Sequence, residues 1–287
     1  MSRAAFLCLL AGGCAIAFAP IFVRLSDTGP LASAFWRTAL ATPLLWMWLL
    51  MGPSPRPSPR GEGKHFGALI LAGLFFAADL GVWHFSIIYT SVANSTLLAN
   101  LAPIFVTLAG WLIWKRRVTR TFLVGMFVAI AGMFVLVGPN FALGGTRLLG
   151  DALGALTAVF YAGYMLSIKD ARDARASTAR LMAWSTAISA AALLPVALLA
   201  PQPFLPASAA GWLPLFGLAI VSQILGQGLI AYAFAHLPAS LSSVSLLIQP
   251  VVAALAAWMI FAEPVGPMQF AGGAIVLAGI WLARKGS

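Results

Sequence analysis

Ala102-Pro103-Ile104-Phe105-Val106-Thr107-Leu108-Ala109-Gly110-Trp111-Leu112-Ile113 returns later in the chain as Gln249-Pro250-Val251-Val252-Ala253-Ala254-Leu255-Ala256-Ala257-Trp258-Met259-Ile260. Superposing the prolines sets an offset of 250 − 103 = 147 residues. At that offset the match runs without gaps from about Gly81 to Phe134 and from about Gly228 to Trp281. Gly81 meets Gly228, Ser95 meets Ser242, Trp111 meets Trp258, Val118 meets Val265, Gly125 meets Gly272 and Gly132 meets Gly279. Matched Ala and Leu are cheap in an apolar chain; matched Pro, Trp and paired Gly in one register are not. The stretch reads as an internal duplication, with a period far too long for a solenoid repeat.

Composition restricts what is duplicated. The chain is 61% hydrophobic and 8% charged, whereas a soluble domain carries about 25% charged residues. It cannot cover a soluble surface, so the bilayer is its solvent, and each crossing needs roughly 20 apolar residues in a helix. Apolar runs fall at about 4–25, 31–51, 66–89, 92–114 and 120–138, then at about 148–168, 179–200, 211–235, 239–261 and 267–284. The fold class expected is therefore an all-α, polytopic membrane protein with ten transmembrane helices. Short connections carry turn residues: Thr28-Gly29-Pro30, Gly138-Pro139-Asn140 and Pro201-Gln202-Pro203. The stretch 52–61 holds four prolines and is expected to be an exposed, extended or disordered loop.

The beginning of the chain resembles a signal peptide, with Arg3, an apolar run and Ala17-Phe18-Ala19. Pro20 directly after that triplet disfavours cleavage, and removal would leave nine helices, so we expect the segment to be the first span. Cys8 and Cys14, six residues apart in that span, are expected to be core residues without a disulfide or metal.

Lys and Arg collect on alternate connections. One side holds Arg3, Arg56, Arg60, Lys64, Lys115, Arg116, Arg117, Arg120, Lys169, Arg172, Arg175, Arg180, Arg284 and Lys285; the other holds Arg24 and Arg147. The basic side is expected to face the cytoplasm, with both termini inside. The +10 net charge is then topological and meets anionic lipid, not nucleic acid. Five helices per half make the second half enter from the opposite side. The expectation is two inverted five-helix repeats, residues 1–138 and 139–287, an arrangement suited to alternating access around a midplane site.

Ten helices in two halves, with Leu98-Ala99-Asn100-Leu101-Ala102-Pro103, Gly125 and Gly132 answered by Leu246-Leu247-Ile248-Gln249-Pro250, Glu263-Pro264, Gly272-Gly273 and Gly279, resemble the drug/metabolite transporter superfamily, specifically its EamA-type members. Arg37 on the second span also fits. One departure is that Glu263 has Arg116 as its counterpart in the first half. Within the superfamily, the chain resembles the YddG-type bacterial exporters of aromatic and other amino acids. The resemblance implies a carrier in the bacterial inner membrane that exports small metabolites, amino acids foremost, with no cofactor and no metal.

Polar residues at mid-depth nominate the path, because polar groups facing lipid there are costly. At about 1.5 Å per residue, Asp79 lies roughly 20 Å into the third span, and Tyr161, Gln223, Gln227, Gln249 and Asn100 fall in the middle third of theirs. Helical spacing adds Trp83 beside Asp79, Tyr164 beside Tyr161, Ser245 beside Gln249, and Phe18 with Phe22. His84 lies about 140° round the helix from Asp79 and is added as a titratable group near that site. Together these are the expected substrate-binding residues, although Ser, Thr and Gln also serve simple helix packing. Asp79 would carry an amine or a proton; whether a proton or another ion couples transport stays open. Arg37 is expected to be structural, snorkelling or pairing with a polar group. Pro103 and Pro250 can kink their helices. Gly125 and Gly132, and Gly272 and Gly279, offer smooth faces for packing within a monomer, or otherwise in a dimer.

An enzyme is the competing class. Asp170-Ala171-Arg172-Asp173 is reminiscent of the Mg²⁺-diphosphate motifs of membrane prenyl transfer, but such a site needs a second acidic cluster, which the chain lacks. No catalytic residues are assigned. Other hydrophobic metabolites or drugs, and a channel-like facilitator, remain the alternative functions.

Overall fold

The structure, a computed structural model, describes residues 2–51, 62–90, 92–115, 117–137, 148–262 and 265–287. The Pro-rich stretch 52–61, the turn at Gly138-Pro139-Asn140, and Arg116, Arg147, Glu263 and Pro264 lie outside the described residues. The helices are α1 (Arg3–Ile16), α2 (Ala19–Leu25), α3 (Pro30–Met51), α4 (Glu62–Tyr89), α5 (Val92–Ala99), α6 (Ala102–Trp114), α7 (Arg120–Val137), α8 (Leu148–Asp173), α9 (Thr178–Leu199) and α10 (Trp212–Gly217). A π-helix over Leu218–Gln227 follows, then α11 (Gly228–Phe234), α12 (Ala239–Ser245), α13 (Ile248–Phe261) and α14 (Pro267–Lys285). Among the described residues there is no strand.

Joined end to end, these pieces make ten spans. Eight are long and apolar enough to cross a membrane. The other two are α3, 22 residues with Arg37 inside it, and α14, 19 residues ending in Arg284 and Lys285. The outer faces are apolar: Leu7, Ile113, Phe127, Leu198, Met259 and Trp281 are all exposed, as lipid contact requires.

Sequence chemistry explains where the helices start and stop. Ser2 and Ser177 cap α1 and α9 by accepting the Ala5 and Arg180 amides at 3.3 and 3.1 Å. α6 and α13 each begin around a proline and end at a left-handed residue, Lys115 (φ 54°) and Ala262 (φ 53°). The first span was expected to be one helix; it stops at Ile16 and restarts at Ala19, with Pro20 in the new first turn. Pro20 has no amide to donate, which favours a break there, although α3 and α9 run on through Pro43 and Pro195.

Glycine sets the closest approaches. α7 lies against α14, and a Cβ on Gly125, Gly272 or Gly279 would sit 2.3 Å from the backbone nitrogen of Ala283, Leu136 or Ala129. Gly132 would meet Val276 N at 2.6 Å. The two helices therefore touch backbone to backbone, which only glycine permits. α1 crosses the π-helix and α11 in the same way, at Gly12 and Gly226. α4 packs on α8 and α9, and α3 on α9. The α9–α10 connection folds over the start of α3: Trp36 Nε1 donates to Phe204 O at 2.8 Å, and Gly29 N donates to Pro203 O at 2.8 Å.

Candidate functional site: a charged cavity between the halves

Three interrupted spans open the interior. Between α1 and α2 the break leaves Ile16, Ala17, Ala19, Pro20 and Val23 along one wall. Between α5 and α6 it presents Ala99 and Asn100, and at α12–α13 it presents Gln249, Pro250 and Ala253. With Ser33, Ala34 and Arg37 of α3, Phe76, Asp79, Leu80, Trp83 and His84 of α4, Thr157 and Tyr161 of α8, and Leu218 and Gln227, they surround a cavity of about 130 Å³. These positions lie mainly in the half of the bundle nearer the connections 26–29 and 200–211.

An arginine and an aspartate share this space. Arg37 is 7% exposed, and its Nε donates to Gln223 Oε1 at 3.0 Å. Gln223 is fixed in turn, since its Nε2 donates to Thr186 Oγ1 at 3.1 Å. The guanidinium carbon stands 5.5 Å from the centroid of the Phe76 ring, within cation–π range. Asp79 also lines the cavity.

Aromatic and amide groups complete the lining. Phe76 stacks on Tyr164 at 4.6 Å, and Tyr164 lies beside Tyr161 at 6.3 Å. Tyr164 donates its hydroxyl to Gln227 Oε1 at 3.2 Å, and Gln249 Nε2 donates to Tyr161 at 3.4 Å. Trp83 meets His84 edge-on at 4.9 Å. His84 Nδ1 lies 2.6 Å from Leu80 O. A carbonyl can only accept, so Nδ1 carries a proton; among the described residues Nε2 is buried without a partner.

Of the residues expected to bind cargo, Asp79, Trp83, His84, Asn100, Tyr161, Gln227 and Gln249 all lie on the wall. Tyr164, buried behind Tyr161 and Phe76, supports it. Gln223 acts through Arg37 and stands outside the lining. Ser245 turns back to donate to Leu241 O at 2.8 Å and is fully buried. Phe18 and Phe22 stand outside the wall too; Phe22 packs into the smaller cluster of Ala19, Leu215 and Leu218. The two share a helix face as their spacing requires, with ring centroids 6.5 Å apart and Phe22 N donating to Phe18 O at 3.0 Å, but Phe22 packs against α10 and not into the cavity.

Arg37 pairs with a polar group, Gln223, as one branch of the expectation had it, and also reaches the cavity, which the sequence reading did not foresee. That reading also missed Asp151, 5% exposed, whose Oδ1 accepts Thr90 Oγ1 at 2.7 Å and Asn94 Nδ2 at 3.1 Å. Those bonds tie the start of α8 to the α4–α5 corner. Pro250 lines the cavity, whereas Pro103 stands back from it. Cys8 and Cys14 are free thiols. At the opposite end, Lys169 pairs with Asp173 at 2.7 Å and donates to Phe234 O at 3.0 Å, joining α8 to α11.

Comparison with known proteins places this architecture. The model of the EamA-like transporter family matches twice, at residues 3–138 and 148–284. The chain is 29% identical over 261 residues to the pseudopaline exporter CntI of Pseudomonas aeruginosa (strain UCBPP-PA14), covering 90% of this chain and 88% of that one. It is 27% identical to an uncharacterized transporter of Archaeoglobus fulgidus, over 94% of each chain. It is 26% identical to a probable terminal-alkyne amino-acid exporter of Streptantibioticus cattleyicolor, over 69% of this chain and 66% of the other. A solved crystal structure of 18% identity has the same fold, with a TM-score of 0.82 over 99% of this chain and 98% of its own. The chain belongs to the EamA-like transporter family. It is a multi-pass membrane transporter and not an enzyme.

Proposed function

We propose that this transporter exports small metabolites, amino acids with neutral or aromatic side chains foremost, across the bacterial inner membrane by alternating access. The observation that carries the reading is the cavity itself. It lies where both halves meet and is lined by Arg37, Asp79, Asn100, Gln227 and Gln249 beside Trp83 and Tyr161. Two relatives bear names that speak of exporting pseudopaline and a terminal-alkyne amino acid, which supports export of compounds of this kind.

In this proposal the two halves are inverted repeats, and the basic end of the bundle is cytoplasmic. Lys115, Arg117, Arg120, Lys169, Arg172, Arg175, Arg180, Arg284 and Lys285 gather at that end, against Arg24 at the other. The cavity then faces outward, and the Lys169 tie between α8 and α11 belongs to the closed inner side. Reporter fusions after Lys64 and Arg117 should both report cytoplasm; opposite sides would overturn the topology. The functional test is a screen of the twenty labelled amino acids in proteoliposomes, with and without a pH gradient. Saturable flux of a neutral or aromatic amino acid above empty liposomes is expected. Absence of flux for all twenty would refute the amino-acid reading, and a gradient effect would show whether protons couple.

A further inference from the structure

The cavity holds a cation with more donors than the protein occupies. A guanidinium presents five N–H donors in a planar fork. Among the described residues, Arg37 makes a single hydrogen bond, from Nε to Gln223, and its Nη2 is buried with no partner. Because Gln223 is itself held by Thr186, the plane of the fork is fixed and the edge carrying the terminal nitrogens is left open. A buried donor without an acceptor is costly, and an unpaired buried cation more so.

An acceptor is close at hand and is not taken. Asp79 lines the same cavity and lies within electrostatic reach of Arg37. Among the described residues, however, it forms neither an ion pair nor a hydrogen bond. The two groups face one space with their polar ends open to it. A plain anion would sit against Asp79, and a plain amine against Arg37. A molecule with both charges on neighbouring atoms satisfies each.

Resting on the export reading above, we propose that the cavity recognises the zwitterionic head of an α-amino acid. Arg37 takes the carboxylate through its terminal nitrogens, and Asp79 takes the ammonium. Bidentate guanidinium–carboxylate bonding fits the open edge of the fork. Leu80, Trp83, Leu218 and Ala253 give part of the wall an apolar surface that suits an uncharged side chain.

The test uses the full-length protein in proteoliposomes and inhibition of labelled L-phenylalanine flux by three unlabelled compounds. These are L-phenylalanine, L-phenylalaninamide, which lacks the carboxylate, and N-acetyl-L-phenylalanine, which lacks the ammonium. The unsubstituted protein should prefer L-phenylalanine to either analogue by at least tenfold. Arg37→Gln should lose the preference over the amide while keeping that over the N-acetyl compound, and Asp79→Asn should do the reverse. Should L-phenylalanine not be carried, the best-carried amino acid of the twenty, with its own amide and N-acetyl derivatives, takes its place. Equal inhibition by all three compounds in the unsubstituted protein overturns the proposal without any variant, so a variant that fails to fold does not shelter it. Unchanged preferences in folded variants overturn it as well. In both cases amino-acid flux survives and the export reading stands. Absence of flux for every amino acid removes both.

Discussion

In residues 92–114 the helix stops at Ala99 and restarts at Ala102; in residues 239–261 it stops at Ser245 and restarts at Ile248. The left-handed ends at Lys115 and Ala262 stand at the same 262 − 115 = 147 residue offset. The last spans of the two halves meet through reciprocal glycines. The cavity residues behave otherwise. At that offset Arg37 meets Trp184, Asp79 meets Gly226, Trp83 meets Ile230, His84 meets Ala231 and Asn100 meets Leu247. Gln227 answers to Leu80, Gln249 to Ala102 and Tyr161 to Cys14. Each half keeps the shared backbone devices, while the polar wall is assembled once, from unlike contributions. A third span that is one continuous helix in α4 is interrupted by a π-helix in its counterpart, and a first span broken at Ala17 is answered by the continuous α8. Shared features thus mark the frame, and unshared ones mark the chemistry.

That division can be broken at its strongest point first. Gly279→Leu should abolish recovery of folded protein, because even a Cβ there would lie 2.3 Å from Ala129 N. Gly110→Ala, where a Cβ meets nothing within 4 Å, should leave the thermal unfolding midpoint unchanged. Equal tolerance at both sites would remove the seam from the frame.

Next comes accessibility. In a protein with Cys8 and Cys14 replaced, cysteines at Asn100, Tyr161, Gln227 and Gln249 should react with a water-soluble thiol reagent, and cargo should slow several of them. A cysteine at Ser245, fully buried and turned to Leu241 O, should stay unlabelled. Four silent positions would make the wall a packing surface.

A smaller effect is expected at the acid. Asp79→Asn keeps volume and hydrogen-bonding shape, so it should fold with an unaltered melting curve and raise KM for cargo by about tenfold, or about 1.4 kcal/mol, or else change the pH profile of flux. Gly226, its counterpart, carries no side chain and lies at the α1 crossing, so no charge there shares the load. An Asn variant with unchanged KM and pH profile would falsify the functional reading of Asp79.

The smallest effect tests the frame by its symmetry. Lys115→Gly and Ala262→Gly should each stabilise by about 1 kcal/mol, since glycine adopts positive φ without the Cβ penalty. Similar gains in thermal unfolding are the expected result; a gain at one site and a loss at the other would mean that the two turns are not equivalent.

The frame was legible because its devices have sequence signatures. Apolar length gave the spans, and Pro103 and Pro250 marked two of the breaks. Paired glycines seven residues apart marked the seam between α7 and α14. The cavity was legible where a polar residue sat at mid-depth in a regular helix, as with Asp79, Asn100 and Tyr161. It was not legible where the helix was irregular. Phe18 and Phe22 share a face as their spacing required, but that face belongs to the short α2 beyond the break, where Phe22 packs against α10, and Pro20, weighed only against cleavage, was the available sign of that break. The π-helix over Leu218–Gln227 left no such mark, and Gln223 within it turns to Arg37. Asp151 was hidden because its partners, Thr90 and Asn94, come from a corner about 60 residues earlier, a distance no local pattern spans.

Gln223 itself has a further consequence. Its amide is oriented by its neighbours: only the oxygen can accept from a guanidinium, so the nitrogen must point to Thr186. The side chain is neutral, and it therefore leaves Arg37 its full positive charge. A carboxylate at the same place, Gln223→Glu, would neutralise that cation and take away the donor to Thr186, without altering a single atom of the cavity wall. The net charge a molecule meets inside is therefore set one layer back. Two relatives with identical wall residues could differ in preference for acidic cargo through this position alone, so a comparison restricted to contact residues would miss the switch.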